Sequence, residues 1–162
     1  MIRDGLDAAF VTLGDPLTYA TYGYILTSMK ALAPDVRIAT IPGISSFQAA
    51  AARVNLPLVE GNESLTVVSG VEGGVCIRKL AGVVDNLVIM KAYKNVEDVA
   101  SALVETGRQK SSVGIVNCCM ENEIIIEDVR EFNNTPPGYW TLILSKKSRQ
   151  ERAQPTLQPT SF

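Results

Sequence analysis

The sequence predicts an α/β protein of two αβα units, the first a truncated parallel sheet and the second a mixed sheet. Three observations carry this reading. Short apolar, β-branched runs alternate with helical segments through the first third of the chain. A stretch rich in turn formers, Asn55–Ser64, interrupts both periodicities, and strand-like runs crowd the second half. The 162 residues are 46% apolar, enough to fill a packed core.

Taken in order, residues 8–13 (AAFVTL) read as a buried strand stopped by Gly14-Asp15-Pro16, and a helix is expected over 17–32, ending before Pro34. Residues 36–41 (VRIATI) read as a second strand closed by Pro42-Gly43. Ser45 or Ser46 then caps a helix through 47–54. A second unit begins beyond the linker, with strands at 65–69 and 86–92 around a helix near 74–80. Residues 95–107 give the clearest helical signal: Val96, Val99, Ala100, Leu103 and Val104 share a face, acids occupy the first turns, and Gly107 stands where a C-terminal cap belongs. Strands follow at 113–118, 123–129 and 139–145, the last after Pro136-Pro137-Gly138, and an antiparallel return is expected within this strand-rich second half. The expected organisation is 1–54 as one unit, 55–147 as a second, and 148–162 as a polar tail with little to bury.

Fifteen Lys and Arg against seventeen Asp and Glu leave a formal charge of −2, which offers phosphate backbones no general attraction, so no nucleic-acid partner is expected. Histidine is absent, which removes Ser-His-Asp and Cys-His nucleophile pairs and all His-containing metal sites. Three cysteines cannot all pair within one chain, and no apolar run reaches the roughly 20 residues needed to cross a bilayer. A cytoplasmic protein without membrane contact is expected. Cys118 and Cys119, adjacent on a strand, should point to opposite faces, and their spacing does not read as a metal site.

Two loops at the carboxyl ends of expected parallel strands are the candidates for chemistry, because ligands of open α/β sheets bind there. In Leu13-Gly14-Asp15-Pro16-Leu17, Gly14 admits a ligand close to the backbone and Asp15 can accept hydrogen bonds. The same residues also suit an ordinary turn with an Asx-type helix start. In Pro42-Gly43-Ile44-Ser45-Ser46, a capping serine can also face a ligand. Tyr19, Tyr22 and Tyr24 can wall a flat ligand or pack in the core, and Lys91, after an apolar strand, can pair with a carboxylate or extend to water.

The stretches AFVTLGDPLTYATYGY, TIPGISSFQAAAARVNLPLVEGNESLTVVSG, NLVIMKAYKN, VNCCMENEIII and GYWTLILSKK together resemble the tetrapyrrole methylases, in order along residues 5–147. Within that family the Gly-Asp-Pro-Leu-Thr-Tyr and Pro-Gly-Ile-Ser-Ser-Phe-Gln stretches are most similar to the branch that acts at C(20) of precorrin-2. The resemblance implies a homodimeric enzyme of cobalamin biosynthesis that transfers a methyl group from S-adenosylmethionine to the C(20) meso carbon of precorrin-2 or its cobalt form. The alternatives it leaves open are methylation at another corrin carbon, or a non-catalytic binding or dimerisation module. Family members hold the methyl donor in a cleft between two α/β domains. Carried over by motif, Leu13, Gly14, Asp15 and Thr18 would hold it from the first loop, Ser45 and Ser46 from the second, and Met90 and Cys119 from the second unit. Tyr19, Tyr22 and Lys91 would face the tetrapyrrole, and no residue stands out as a general base. The family also opens with a strand and a Gly-Pro-Gly-Asp turn that have no counterpart here, so weak or absent donor binding by this chain alone is expected.

Overall fold

A computed structural model describes residues 5–134 and 137–147; the tail expected from 148 onward lies outside the described residues. The chain divides into two compact units, one ending at Ala49 and the other beginning at Ala50.

The first unit contains helix α1 (Tyr22–Leu32) and the start of α2 (Ser46–Arg53), which runs across the division. Its described residues form no strand, which corrects the expectation of strands at 8–13 and 36–41. A strand is stable only when its N–H and C=O groups find a ladder partner and one of its faces is covered. Neither condition holds here: Phe10 is 52% exposed, Val11 86% and Ile41 83%. The first helix also starts five residues later than expected, at Tyr22 instead of Leu17, because Asp15 and Thr18 fold the intervening residues into a turn.

The second unit is built on one five-stranded sheet. Its strands are β1 (Leu65–Ser69), β2 (Asn86–Met90), β3 (Ser112–Val116), β4 (Ile124–Ile126) and β5 (Thr141–Ser145), in the order β1-β2-β5-β3-β4. β1 and β2 are parallel and joined through α3 (Val75–Leu80), while β5 is antiparallel to both β2 and β3, and β4 is antiparallel to β3. The α/β class, the mixed sheet and the antiparallel return are therefore present. The central strands read as unbroken apolar runs because both of their faces are covered, and every residue of β5 is buried.

Helix α4 (Val96–Glu105) covers the sheet with Val96, Val99, Ala100, Ala102 and Leu103. Val104, expected on that face, is instead 42% exposed. Gly107 terminates the helix at φ +72°: the Arg108 N–H bonds the Leu103 carbonyl at 2.8 Å and the Gly107 N–H bonds the Val104 carbonyl at 3.1 Å, the paired bonds of a Schellman ending. Arg108, 3% exposed, then donates its guanidinium to the carbonyls of Ala81, Val84 and Asp85, tying the end of α4 to the loop after α3. None of the described helices is long and apolar enough to cross a membrane.

Candidate functional site

In the first unit, the two loops singled out from the sequence meet backbone to backbone. Gly14 takes φ +72°, and a Cβ on Gly43 would overlap the Gly14 carbonyl, so the contact requires glycine at position 43. Asp15 staples the pair. Its Oδ2 accepts the Thr18 hydroxyl at 2.8 Å and the Leu17 N–H at 3.2 Å, while Oδ1 accepts the Gly43 N–H at 3.4 Å. The Thr18 hydroxyl, followed by the Gly43 and Leu17 N–H groups, holds the Asp15 carboxyl below its ordinary range despite the opposing effect of burial. Asp15 thus organises the loops, and the neighbouring residues Leu13 and Gly14 are exposed.

Ser45 begins α2 with a reciprocal cap. Its Oγ accepts the Gln48 N–H at 3.4 Å, and Gln48 Oε1 accepts the Ser45 N–H at 3.1 Å and the Ser45 hydroxyl at 2.9 Å. Ser45 is buried and Ser46 exposed. The Ser-x-x-Gln spacing of residues 45–48 is the sequence signal of this cap, and it is Gln48 that completes it. The three tyrosines do not form one wall. Tyr22 is buried, shares a 2.5 Å hydrogen bond with Thr40 and stacks on Phe10 with centroids 6.1 Å apart, whereas Tyr19 and Tyr24 are 47% and 78% exposed.

In the second unit, β1, β2 and β3 all run the same way, so their carboxyl ends lie along one edge of the sheet. Three non-glycine residues take left-handed backbone there: Lys91 (φ 55°) after β2, and Asn117 (φ 51°) and Cys119 (φ 63°) after β3. Such conformations cost of order 1–3 kcal/mol each and concentrate where function requires an unusual turn. β5 lies between β2 and β3, which sets the Met90 and Asn117 ends about two strand spacings, or about 10 Å, apart.

Cys118 and Cys119 depart from the sequence expectation. They occupy the middle of a turn closed by the Met120 N–H on the Asn117 carbonyl at 3.0 Å, not a strand, and their sulfurs lie 3.7 Å apart on one side. Burial, followed by the Cys119 contact, pushes the Cys118 thiol up to about 11. Glu123 Oε2 accepts the Cys119 N–H at 2.7 Å and its Oε1 accepts Arg53 Nε at 2.7 Å; these partners, the Cys119 N–H foremost, hold the carboxyl below its usual range. Glu123 and Arg53 were not found by sequence reasoning. A carboxylate four residues after a cysteine pair was visible, but Arg53 lies seventy residues earlier and only the fold brings it near.

Residues 2–132 match the family described as Tetrapyrrole (Corrin/Porphyrin) Methylases. A Methanocaldococcus jannaschii protein named "Probable cobalt-precorrin-2 C(20)-methyltransferase" is 32% identical over 82% of this chain and 55% of its own length. The Salmonella typhimurium cobalt-precorrin-2 C(20)-methyltransferase is 27% identical over 90% of this chain and 61% of its own. The chain therefore spans between 55% and 61% of the length of these two relatives. Among solved structures, the Thermus thermophilus uroporphyrin-III C-methyltransferase complexed with S-adenosylhomocysteine superposes with a TM-score of 0.58 at 23% identity, covering 81% of this chain and 61% of that one. With the family match reaching across most of both units, this chain belongs to the tetrapyrrole methylase family.

Proposed function

We propose that this chain is part of an S-adenosylmethionine-dependent C-methyltransferase that methylates C(20) of precorrin-2 or its cobalt form in cobalamin biosynthesis. The observation that carries the proposal is the stapled meeting of the Gly14 and Gly43 loops in a chain whose relatives are named for this reaction. S-adenosylmethionine supplies an activated methyl on a sulfonium. The electron-rich meso carbon forms the new C–C bond as the S–CH3 bond breaks, the sulfur leaves as the neutral thioether of S-adenosylhomocysteine, and the carbon returns to conjugation by losing a proton.

This chemistry demands positioning more than acid–base catalysis, and alignment of nucleophile, methyl and sulfur can supply on the order of 7–11 kcal/mol. The absence of histidine is no obstacle to it. A glycine-lined corner suits a ligand read through backbone groups. In this reading Leu13 and Gly14 contact the donor, Asp15 and Thr18 hold the loop in shape, and Ser45 and Ser46 present the start of α2. At the sheet edge of the second unit, Met90 and Cys119 take the donor-side roles that the family motifs give them. Lys91 and Tyr19 face the carboxylate-rich macrocycle, and Tyr22 supports that surface from within. The functional assembly in this reading is a cytoplasmic homodimer.

Incubation of the full-length protein with S-adenosylmethionine and precorrin-2 or cobalt-precorrin-2 tests the proposal, the new methyl being located by NMR. Methyl at C(20) is the expected product. Methyl at another corrin carbon would replace this reading with that of a sister methylase. No turnover, with sedimentation showing ligand-independent self-association, would replace it with a binding module.

A further inference from the structure

We propose that Cys118, Cys119 and Glu123 form a binding site for a thiophilic divalent cation of the zinc and cadmium type. The two Sγ atoms and a Glu123 carboxylate oxygen all lie within 4.8 Å of one another. An ion bound tetrahedrally at a metal–sulfur distance of about 2.3 Å separates two thiolates by about 3.8 Å. The observed Sγ···Sγ distance is 3.7 Å, so the turn already holds the sulfurs at the spacing of a tetrahedral edge. The left-handed backbone at Asn117 and Cys119 produces this arrangement, since an extended strand would send the two side chains to opposite faces.

The surroundings complete the site. Glu123 spends one lone pair on the Cys119 N–H and another on Arg53, and a carboxylate has about four lone-pair sites, so an oxygen remains available to an ion. Those same two contacts fix its orientation, as outer partners of metal ligands do. Charge also balances: two thiolates and a carboxylate carry three negative charges, and a divalent cation with the Arg53 guanidinium carries three positive ones. Cys119 is exposed and Cys118 and Glu123 are half-buried, which gives an ion a path in. Three protein ligands leave a fourth position for water or an external group. Uptake displaces the thiol protons to solvent, with no change of oxidation state.

The test is titration of the full chain with Cd²⁺ under reducing conditions, read by the thiolate-to-cadmium charge-transfer absorption. One ion per chain with two sulfur bonds is expected. Cys118→Ser and Cys119→Ser should each weaken binding by at least about ten- to a hundredfold, the range that changes even to outer partners produce. Cys76→Ser, which removes the remaining free thiol, should leave binding unchanged. In the unaltered chain, Cd²⁺ should also slow alkylation of Cys118 and Cys119 while leaving Cys76 as it was, an outcome that requires no variant to fold. Absence of the absorption, its persistence in the double serine variant, or equal alkylation with and without the ion would overturn the proposal.

Discussion

The two units use similar residues to opposite effect. In the second, Leu87, Val88 and Ile89 of β2 and Ile143 of β5 are at most 1% exposed, because each strand has partners on both edges and covers on both faces. In the first, Val11, Leu13 and Ile41 are as apolar and as β-favouring, yet they are 83–86% exposed; the buried side chains among its described residues are Pro16, Tyr22 and Ser45. Polar contacts join the first unit: the Asp15 staple, the Ser45–Gln48 cap and the Tyr22–Thr40 bond. Apolar composition therefore does not determine a strand by itself. The ladder partner decides whether the residues become core or surface.

The largest expected effect follows from that difference. Ile143→Ala, at the centre of the sheet, should destabilise the second unit by about 2–5 kcal/mol, the cost of an unfilled cavity. Val11→Ala should change stability by no more than about 0.5 kcal/mol, as an exposed substitution does. Urea unfolding followed by circular dichroism reads both, and equal losses would mean that burial does not distinguish the two positions. Next in size is Arg108→Leu, which leaves the carbonyls of Ala81, Val84 and Asp85 without this donor in a buried setting. With about 1–3 kcal/mol for a buried group left unsatisfied, a loss at the upper end of that range is expected in the same assay.

The contrast also marks how much of the molecule was legible in the sequence. The α4 helix and its Gly107 ending were readable because the periodicity, the acids of the first turn and the glycine all agree with the packing that forms. The central strands were readable for the same reason, as continuous apolar runs between turn signals. The segments at 8–13 and 36–41 carry the same local signal, but a strand is a pairing, and pairing is a property of distant segments. At the candidate site, the glycines and Asp15 stood out as loop chemistry, while the roles they play did not. The sequence shows Asp15 as an acceptor that could face a ligand, and only the fold shows that its oxygens also accept from Thr18, Leu17 and Gly43. At the cysteine pair the strand expectation fails because β3 ends at Val116 and Asn117 takes left-handed backbone, so the strand alternation of faces does not reach Cys118 and Cys119.

A smaller effect is confined to the first unit. Gly43→Ala forces a methyl group against the Gly14 carbonyl and should push the two loops of the first unit apart. Amide hydrogen exchange at residues 14–18 and 43–45 should quicken, with the urea midpoint of the second unit unchanged. If the midpoint falls together with the loop protection, the two regions unfold as one and the distinction drawn between them is wrong.

The smallest effect is electrostatic and sets one carboxylate from each unit side by side. Asp128 is held down to about 2, first by the Arg130 side chain and then by the Arg130 N–H, whereas Asp15 is lowered first by the neutral Thr18 hydroxyl. Both shifts are downward, so the unfolded chain binds protons more readily than the folded one as the solution is acidified. The stabilisation from each group is fully present above the unfolded Asp value of about 4 and is lost as pH falls through the folded value, which for Asp128 is about 2. Arg130→Gln and Thr18→Val should each return the partner carboxylate toward 3.8, as carboxyl NMR titration would register. Salt separates the two causes: ion-pair attraction is screened, while a neutral hydroxyl bond is not, so raising ionic strength should lift the Asp128 titration and leave that of Asp15 nearly in place. An Asp15 that moves with salt as far as Asp128 would mean that a charge, and not the loop staple, lowers it.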